Sequence, residues 1–321
     1  MGCELALGLL AIGLGTFGAF VIGRFGGRLG LIDQPNIRSS HSRETPKGGG
    51  VGIASTFLLT AVVLDMPIAL WLPLGAVAGL SLRGDQVEIS PKLRLPVQFI
   101  LMGILVIGLG AGIYQGIPRI LMTVFWIVFI VGTANFFNFM DGINGIAAIS
   151  GVVGFGLLTI ETYKEQPEVG LLAVCMALAC LGFLPFNLPR ARVFMGDVGS
   201  ILLGGVFAGL VFLASRTVTD FLCMISFLFP FYADELTTMI VRIRAGENLT
   251  QAHRRHIYQL LANERQIPHW KVSAGYGLFQ LLVGISALIS KKFGIIAVLT
   301  VLAIWSALFI TGSYYVRREH Y

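Results

Sequence analysis

Asp85, Asp141 and Asp197 are the residues of this chain best suited to hold a hard cation, because carboxylate oxygens are the ligands such ions take. Asp85 lies in LRGDQVEISPKLR (82–94), Asp141 in NFFNFMDGINGIAA (135–148) and Asp197 in FNLPRARVFMGDVGS (186–200). Asn138, Asp141 and Asn144 recur every three residues, so a continuing helix would carry them on one face. Asp141-Gly142 and Asn144-Gly145 are turn signals, and predict that the helix breaks there. Carboxylates and amides at the edge of apolar segments are costly to keep, which favours function over mere capping. Asn187 ends one apolar run and Asp197 opens the next. A lone Asp there reads as an N-cap, but Gly196 and Gly199 also let a backbone approach a ligand closely.

Cations gather in the neighbouring loops. The segment LIDQPNIRSSHSRETPKGGGVG (31–52) offers Asp33, Asn36, Arg38, His41 and Lys47 before Gly48–Gly50. Glycines at a helix start present free N–H groups that suit phosphate, although a solvated basic loop would look the same. Lys92 sits with Asp85 and Glu88. The segment FYADELTTMIVRIRAGENLTQAHRRHIYQLL (231–261) carries Asp234 and Glu235, then Arg242 and Arg244, then His253, Arg254, Arg255 and His256. Such density of positive charge demands an anionic partner. The plain alternative is a basic helix lying on anionic lipid. Carboxylates for a metal and Arg/His groups for phosphates together point to phosphoryl transfer between a phosphorylated lipid and a soluble phosphate compound.

The elements that must position these groups are membrane helices. Hydrophobic residues make up 55% of the 321, charged residues 12%, and mean hydropathy is +0.81. A soluble chain carries about a quarter charged residues. Apolar runs centre on 3–23, 49–64, 67–82, 95–112, 119–136, 145–160, 169–186, 199–214, 220–240, 273–290 and 293–312. The expectation is an all-α polytopic membrane protein, one catalytic domain over 1–321, with about eleven transmembrane helices. With the N-terminus outside and the C-terminus cytoplasmic, 18 cations fall on the inner side and 5 on the outer. The cytoplasmic loops are then about 24–48, 83–94, 137–144, 187–198 and 241–272, and all the residues named above fall in or beside them. The net charge of +6 follows from this topology, and its scatter excludes a nucleic-acid face. GLGTFG (13–18) matches a dinucleotide fingerprint by chance, since it lies inside an apolar run with no strand before it. MGCELALGLLAIG lacks a basic leader and reads as the start of the first helix. Cys3, Cys175, Cys180 and Cys223 lie in apolar segments and imply no disulfide framework.

From DQPNIRSSH to HRRHIY the chain resembles the polyprenyl-phosphate N-acetylhexosamine-1-phosphate transferases, of glycosyl transferase family 4. NFFNFMDGINGIA and VFMGDVGS carry the likeness most specifically, and AHRRHIYQLL looks most like the O-antigen-initiating branch. The resemblance implies an enzyme of the bacterial inner membrane with its site on the cytoplasmic face, serving lipopolysaccharide O-antigen or other envelope polysaccharide. It would move an N-acetylaminosugar 1-phosphate from a UDP-sugar to undecaprenyl phosphate and release UMP. Mg2+ is the implied cofactor, with Mn2+ as its substitute; the bilayer, the two substrates and a homodimer are the implied associations. By position, Asp197 matches the metal ligand, Asp85, Asp141 and Asn144 the catalytic set, and Asn187 the asparagine beside metal and nucleotide. His41, Lys47, Lys92, Asn138, Arg242, Arg254, Arg255 and His256 are the remaining substrate-binding candidates. Tyr258 and Gln259 replace companions of His256 seen in other branches, and Asn144 replaces a second Asp.

One departure bears on mechanism. Relatives carry two consecutive aspartates where this chain has Gly84-Asp85. Without a neighbouring carboxylate, Asp85 is expected to be a plain carboxylate suited to positioning rather than proton transfer. The nucleophile arrives on the lipid, so no Ser or Cys nucleophile is required; a two-step route through an aspartyl-phosphate-type intermediate is the alternative, and the sequence does not choose between them. Two other readings stand beside this one: a catalytically impaired relative, and a non-enzymatic carrier or transporter of lipid phosphate or nucleotide-sugar. Transporters place binding groups near the bilayer midplane, whereas these cluster at one face.

Overall fold

Eleven apolar runs become helices, and the polar stretches between them become their ends. The computed structural model describes residues 2–35, 40, 43–87, 89–110, 118–248 and 253–318. His41, Asn36, Arg38 and Glu88 lie outside the described residues. The helices are α1 (Gly2–Phe25), α2 (Val51–Val63), α3 (Ile68–Gln86), α4 (Pro91–Leu109), α5 (Arg119–Phe139), α6 (Ile146–Thr162), α7 (Pro167–Asn187) and α8 (Asp197–Ala214). They continue with α9 (Val218–Ile225), α10 (Phe229–Arg244), the single turn α11 (Ile257–Gln259), α12 (His269–Lys291) and α13 (Ile295–Arg318). Two strands of two residues each, β1 (Ile32–Asp33) and β2 (Thr45–Pro46), pair antiparallel between α1 and α2. The chain is thus an all-helical, multi-pass membrane protein.

Among the described residues eight stretches are long and apolar enough to cross a bilayer, one of them α9 and α10 taken together as Val218–Arg244. The sequence reading took 220–240 as one run; Pro230, which cannot donate to the preceding turn, breaks it after a 3-10 turn at Ser226–Leu228. The apolar helices α2, of 13 residues, and α6, of 17, are shorter than a full span. At 1.5 Å per residue α2 covers roughly 20 Å of a ~30 Å hydrocarbon core.

α8 is the hub. It is buried nearly along its length and packs on α2, α3, α5, α6, α7 and α9. Small residues allow this: a Cβ at Gly204 would stand 2.6 Å from the Thr133 carbonyl oxygen of α5. α1 docks on α7 and α2, and α12 on α6 and α13. α13 lies at the edge, with Val298, Ser313 and Arg317 as its buried residues.

The start of α2 meets the start of α8 through backbone. Gly49 and Gly50 N–H donate to the carbonyls of Phe194 (2.9 Å) and Met195 (2.8 Å), and Phe194 N–H donates to Pro46 (2.8 Å). The N–H groups of Gly49 and Gly50 are therefore spent on protein carbonyls rather than held for phosphate. The glycines serve close approach instead: a Cβ on Gly50 would fall 2.4 Å from Gly199 Cα. Gly50→Ala should cost about 1–3 kcal/mol by forcing α2 from α8. Gly156→Ala, whose Cβ meets nothing within 4 Å, should be neutral or slightly stabilising. Thermal unfolding in detergent compares the two, and equal melting temperatures would show that the α2–α8 contact yields freely.

Candidate functional site

Alternation of helix direction brings the C-terminal ends of α3, α5 and α7 to the same side as the N-terminal ends of α6, α8 and α12. A cavity of about 310 Å³ opens among them. Asp33, Lys47, Asp85, Asn138, Asp141, Asn144, Asn187 and Asp197 line it, with Gln259 and His269. Residues more than two hundred positions apart in sequence, Asp33 and His269, thus line one cavity.

Asp85 is the joint of the site. It sits in the last turn of α3, beyond the apolar run, and is 5% exposed. Its Oδ1 accepts from Asp197 N–H and its Oδ2 from Val198 N–H, both at 3.1 Å. A carboxylate from one helix therefore caps the N-terminus of another, where its charge also meets the positive end of the helix dipole. Gly196 makes room for it: its φ is +76°, and a Cβ there would stand 2.7 Å from Asp85 Oδ2. Burial foremost, then the neighbouring Asp197 charge, pushes the Asp85 carboxyl up to about 6, against the pull of the two N–H donors and Lys47. The plain carboxylate expected beside Gly84 is therefore corrected: burial and Asp197 do what a second carboxylate in sequence would have done. Both its oxygens are committed to α8, which makes it a positioning group.

Asp197, held in this way, forms an ion pair with Arg94 of α4. α5 ends at Phe139, so Asn138 stays on the helix while Asp141 and Asn144 fall in the connecting turn. Asn138 Oδ1 accepts from Ser200 Oγ of α8 at 2.6 Å. Asn187 bridges two loops: its Oδ1 accepts from Gly145 N–H at 2.5 Å and its Nδ2 donates to the Val193 carbonyl at 2.9 Å. The Asp141 carboxyl faces the cavity, and burial, then the charges of Asp197 and Asp85, hold it well above the usual carboxylate range.

α12 supplies a clamp. Asn144 N–H donates to His269 Nδ1 (3.3 Å), and Ser273 Oγ donates to the Asn144 carbonyl (2.8 Å). A backbone N–H can only donate, so Nδ1 carries no proton and the imidazole's own N–H is at Nε2. Gln259 accepts from His256 N–H through Oε1 at 3.3 Å and lines the cavity beside it.

The basic run behaves differently. Arg242 Nε and Arg255 Nη1 both reach Glu247, at 3.2 and 2.6 Å. His256 is 3% exposed, with Nε2 3.4 Å from Glu235 and Nδ1 3.7 Å from Asp234. Arg254 is half-buried beside them. The anion that this density demanded is thus partly internal, and the structure does not bring Arg242, Arg254, Arg255 or His256 into the cavity wall. Lys92 is exposed in the first turn of α4 and also stands outside it. Sequence reasoning passed over three contributors. Arg94 had been counted only as a topological cation. Gln259 had been noted only as a replacement, and His269, next to Pro268 at a helix start, gave a weak signal.

Residues 67–215 match the model of glycosyl transferase family 4. The chain is 30% identical over 295 residues to an undecaprenyl-phosphate alpha-N-acetylglucosaminyl 1-phosphate transferase of Thermotoga maritima, covering 88% of this chain and 89% of that one. It is 27% identical over 305 residues to a decaprenyl-phosphate N-acetylglucosaminephosphotransferase of Mycobacterium leprae, covering 80% and 77%. It is 33% identical over 178 residues to a phospho-N-acetylmuramoyl-pentapeptide-transferase of Staphylococcus saprophyticus, spanning 53% of each.

The cavity's charge gives a pH test. A carboxyl held high keeps its proton in the folded chain where the unfolded chain, at the ordinary 3.8, has lost it. Its contribution is full below that value and is lost as pH climbs through the folded value, about 6 for Asp85. In metal-free protein Asp141→Asn should therefore melt higher than wild type at pH 7.5 but not at pH 4. Asp85→Ala, which strips two N–H groups of their acceptor, should lose about 1–3 kcal/mol at both. Thermal unfolding at the two pH values checks this; an Asp141→Asn protein less stable at pH 7.5 would show that its charge is not repelled.

Proposed function

Since the chain belongs to the polyprenyl-phosphate N-acetylhexosamine-1-phosphate transferases of glycosyl transferase family 4, enzymes that pass a sugar phosphate to a polyprenyl phosphate, we propose that it uses a UDP-N-acetylaminosugar and undecaprenyl phosphate. The products are undecaprenyl-pyrophosphate-sugar and UMP. The names of the Thermotoga and Mycobacterium relatives support N-acetylglucosamine as the first sugar to try. The setting is the cytoplasmic face of a bacterial inner membrane, crossed about eleven times, at the first membrane step of O-antigen or another envelope polysaccharide. The charge asymmetry of the loops supports that orientation.

The observation that carries this reading is the wall on which Asp85, Asp141 and Asp197 converge. Among the described residues no three His, Cys, Asp or Glu side chains form a ready-made metal cage. The lining carboxylates nevertheless suit magnesium, which keeps waters and is shared between one or two carboxylates and substrate phosphates. Asp197 and Asp141 would hold it. Bound there, it supplies charge neutralisation where two anions must approach.

The chemistry is a displacement at phosphorus. A lipid phosphate oxygen forms a bond to the β-phosphorus, the bond from that phosphorus to the bridging oxygen breaks, and UMP leaves with the electron pair. The sugar C1–O bond stays intact, so anomeric configuration is retained. Lipid phosphate is mostly dianionic above roughly pH 6, so its attack needs little help from a base. Asp85 fixes the start of α8 and with it Asp197. Lys47 and Arg94 bring positive charge to the phosphates. Asn187 and Asn144 hold the turn that presents Asp141. Gln259 and His269 offer neutral donors to the nucleotide-sugar, and the run Arg254–Arg255–His256 stands behind them.

The direct experiment is UMP release by purified protein given undecaprenyl phosphate, Mg2+ and a panel of UDP-sugars. Turnover with UDP-N-acetylglucosamine is expected, while silence with every sugar would favour a carrier or an impaired relative. Asp197→Asn should lower kcat by at least ~10²-fold, as expected when a charge that stabilises the transition state is lost. It should also abolish the melting shift that Mg2+ gives wild-type protein. Normal turnover across a magnesium titration would remove Asp197 from that role.

A further inference from the structure

We propose that Arg317, in the last turn of α13, is a positioning residue that fixes the cavity wall from behind, through the backbone of residues 255–258. This inference rests on the proposed assignment of that wall to the nucleotide-sugar. α13 is otherwise exposed along most of its length, yet Arg317 is only 6% exposed. A guanidinium is not buried without partners, and this one is fully engaged. Nη1 donates to the Arg255 carbonyl at 2.7 Å, Nη2 to Thr238 Oγ1 at 2.8 Å, and Nε to Ser313 Oγ at 3.1 Å.

The second half of the device is Asp234, fully buried and 3.9 Å from Arg317 Nη2. Its Oδ1 accepts from Ile257 N–H at 2.8 Å and from Thr238 Oγ1 at 3.1 Å. Its Oδ2 accepts from Tyr258 N–H at 3.2 Å and from Tyr276 Oη at 2.6 Å. Arg317 thus grips a carbonyl and Asp234 two amides of the same short segment, from α13 and α10 respectively. What they hold in place is on its other side functional. Tyr258 Oη donates to the Phe139 carbonyl at 2.9 Å and packs where a Cβ on Gly142 would fall 2.1 Å away, beside Asp141. Gln259, the next residue, lines the cavity. Charge alone does not suffice for this grip, because three donors point in three directions from one planar group.

The test compares wild type with Arg317→Gln and Arg317→Lys, with Arg216→Gln at the opposite end of the bundle as control. Amide exchange of purified, substrate-free protein should rise about tenfold across 253–259 in both Arg317 variants, and stay unchanged in α5–α8. The KM for UDP-N-acetylglucosamine should rise about tenfold while that for undecaprenyl phosphate stays within about twofold, with lysine failing to rescue. Thr238→Val, which removes one acceptor and leaves Arg317 in place, should shift both readouts the same way by less, and it serves if the Arg317 variants do not fold. Unchanged exchange at 253–259 in a folded Arg317→Gln protein would overturn the proposal, as would equal rises in both KM values. If wild type releases no UMP, the transfer reading fails, and the exchange comparison alone decides whether Arg317 holds the segment.

Discussion

The site depends on one helix start being held by another helix's carboxylate. Asp85 joins the end of α3 to the first two N–H groups of α8. It sets the direction of α8, hence the position of Asp197 against Arg94 and of Ser200 against Asn138. The glycines around it follow as consequences. Gly196 adopts a left-handed conformation because a side chain would strike Asp85, and Gly50 lies against Gly199 because the two helix starts nearly touch. A buried carboxylate is costly on its own, and here the helix end offsets part of that cost.

Among the described residues the cavity wall is acidic before any ligand enters it. Asp33, Asp85, Asp141 and Asp197 face Lys47, and Arg94 answers Asp197 alone. Both proposed substrates are anions, so the pocket as built repels what it is meant to hold. Burial first, and the neighbouring carboxylate charges after it, raise the Asp85 and Asp141 carboxyls. Stability is traded for function here, as is common where like charges are held together.

Much of this was legible because polar residues stand out against an apolar background. Asp141, Asn144, Asn187 and Asp197 were recognisable at the ends of greasy runs, where a carboxylate or amide needs a reason. The partners of charges were not legible. Arg242 and Arg255 looked like unpaired phosphate binders until Glu247, a few residues away from each, was seen to answer both. Gly48–Gly50 could be read as a phosphate-binding turn or, more simply, as a solvated loop, because sequence does not show that the carbonyls of 194–195 lie opposite the Gly49 and Gly50 N–H groups. His269 gave only a weak signal for a similar reason: its role comes from Asn144, 125 positions earlier. Period and composition report neighbours along a helix, and they are silent on pairings across the bundle.

Those long separations order the assembly in time. The Asp85 joint closes a loop of 112 residues, and the bonds from Asn144 to His269 and Ser273 close loops of 125 and 129. Helix hairpins such as α6–α7 can form as soon as both members exist, whereas contacts of this range must wait for most of the chain. During synthesis from the N-terminal end, Asp85 emerges long before α8 can receive its carboxylate, and the turn carrying Asp141 precedes the helix that clamps it. A chain interrupted just before α12 would have most of its membrane helices and no finished cavity. The cavity is therefore completed only when synthesis is nearly finished, because its last wall, with His269 and Ser273, belongs to α12.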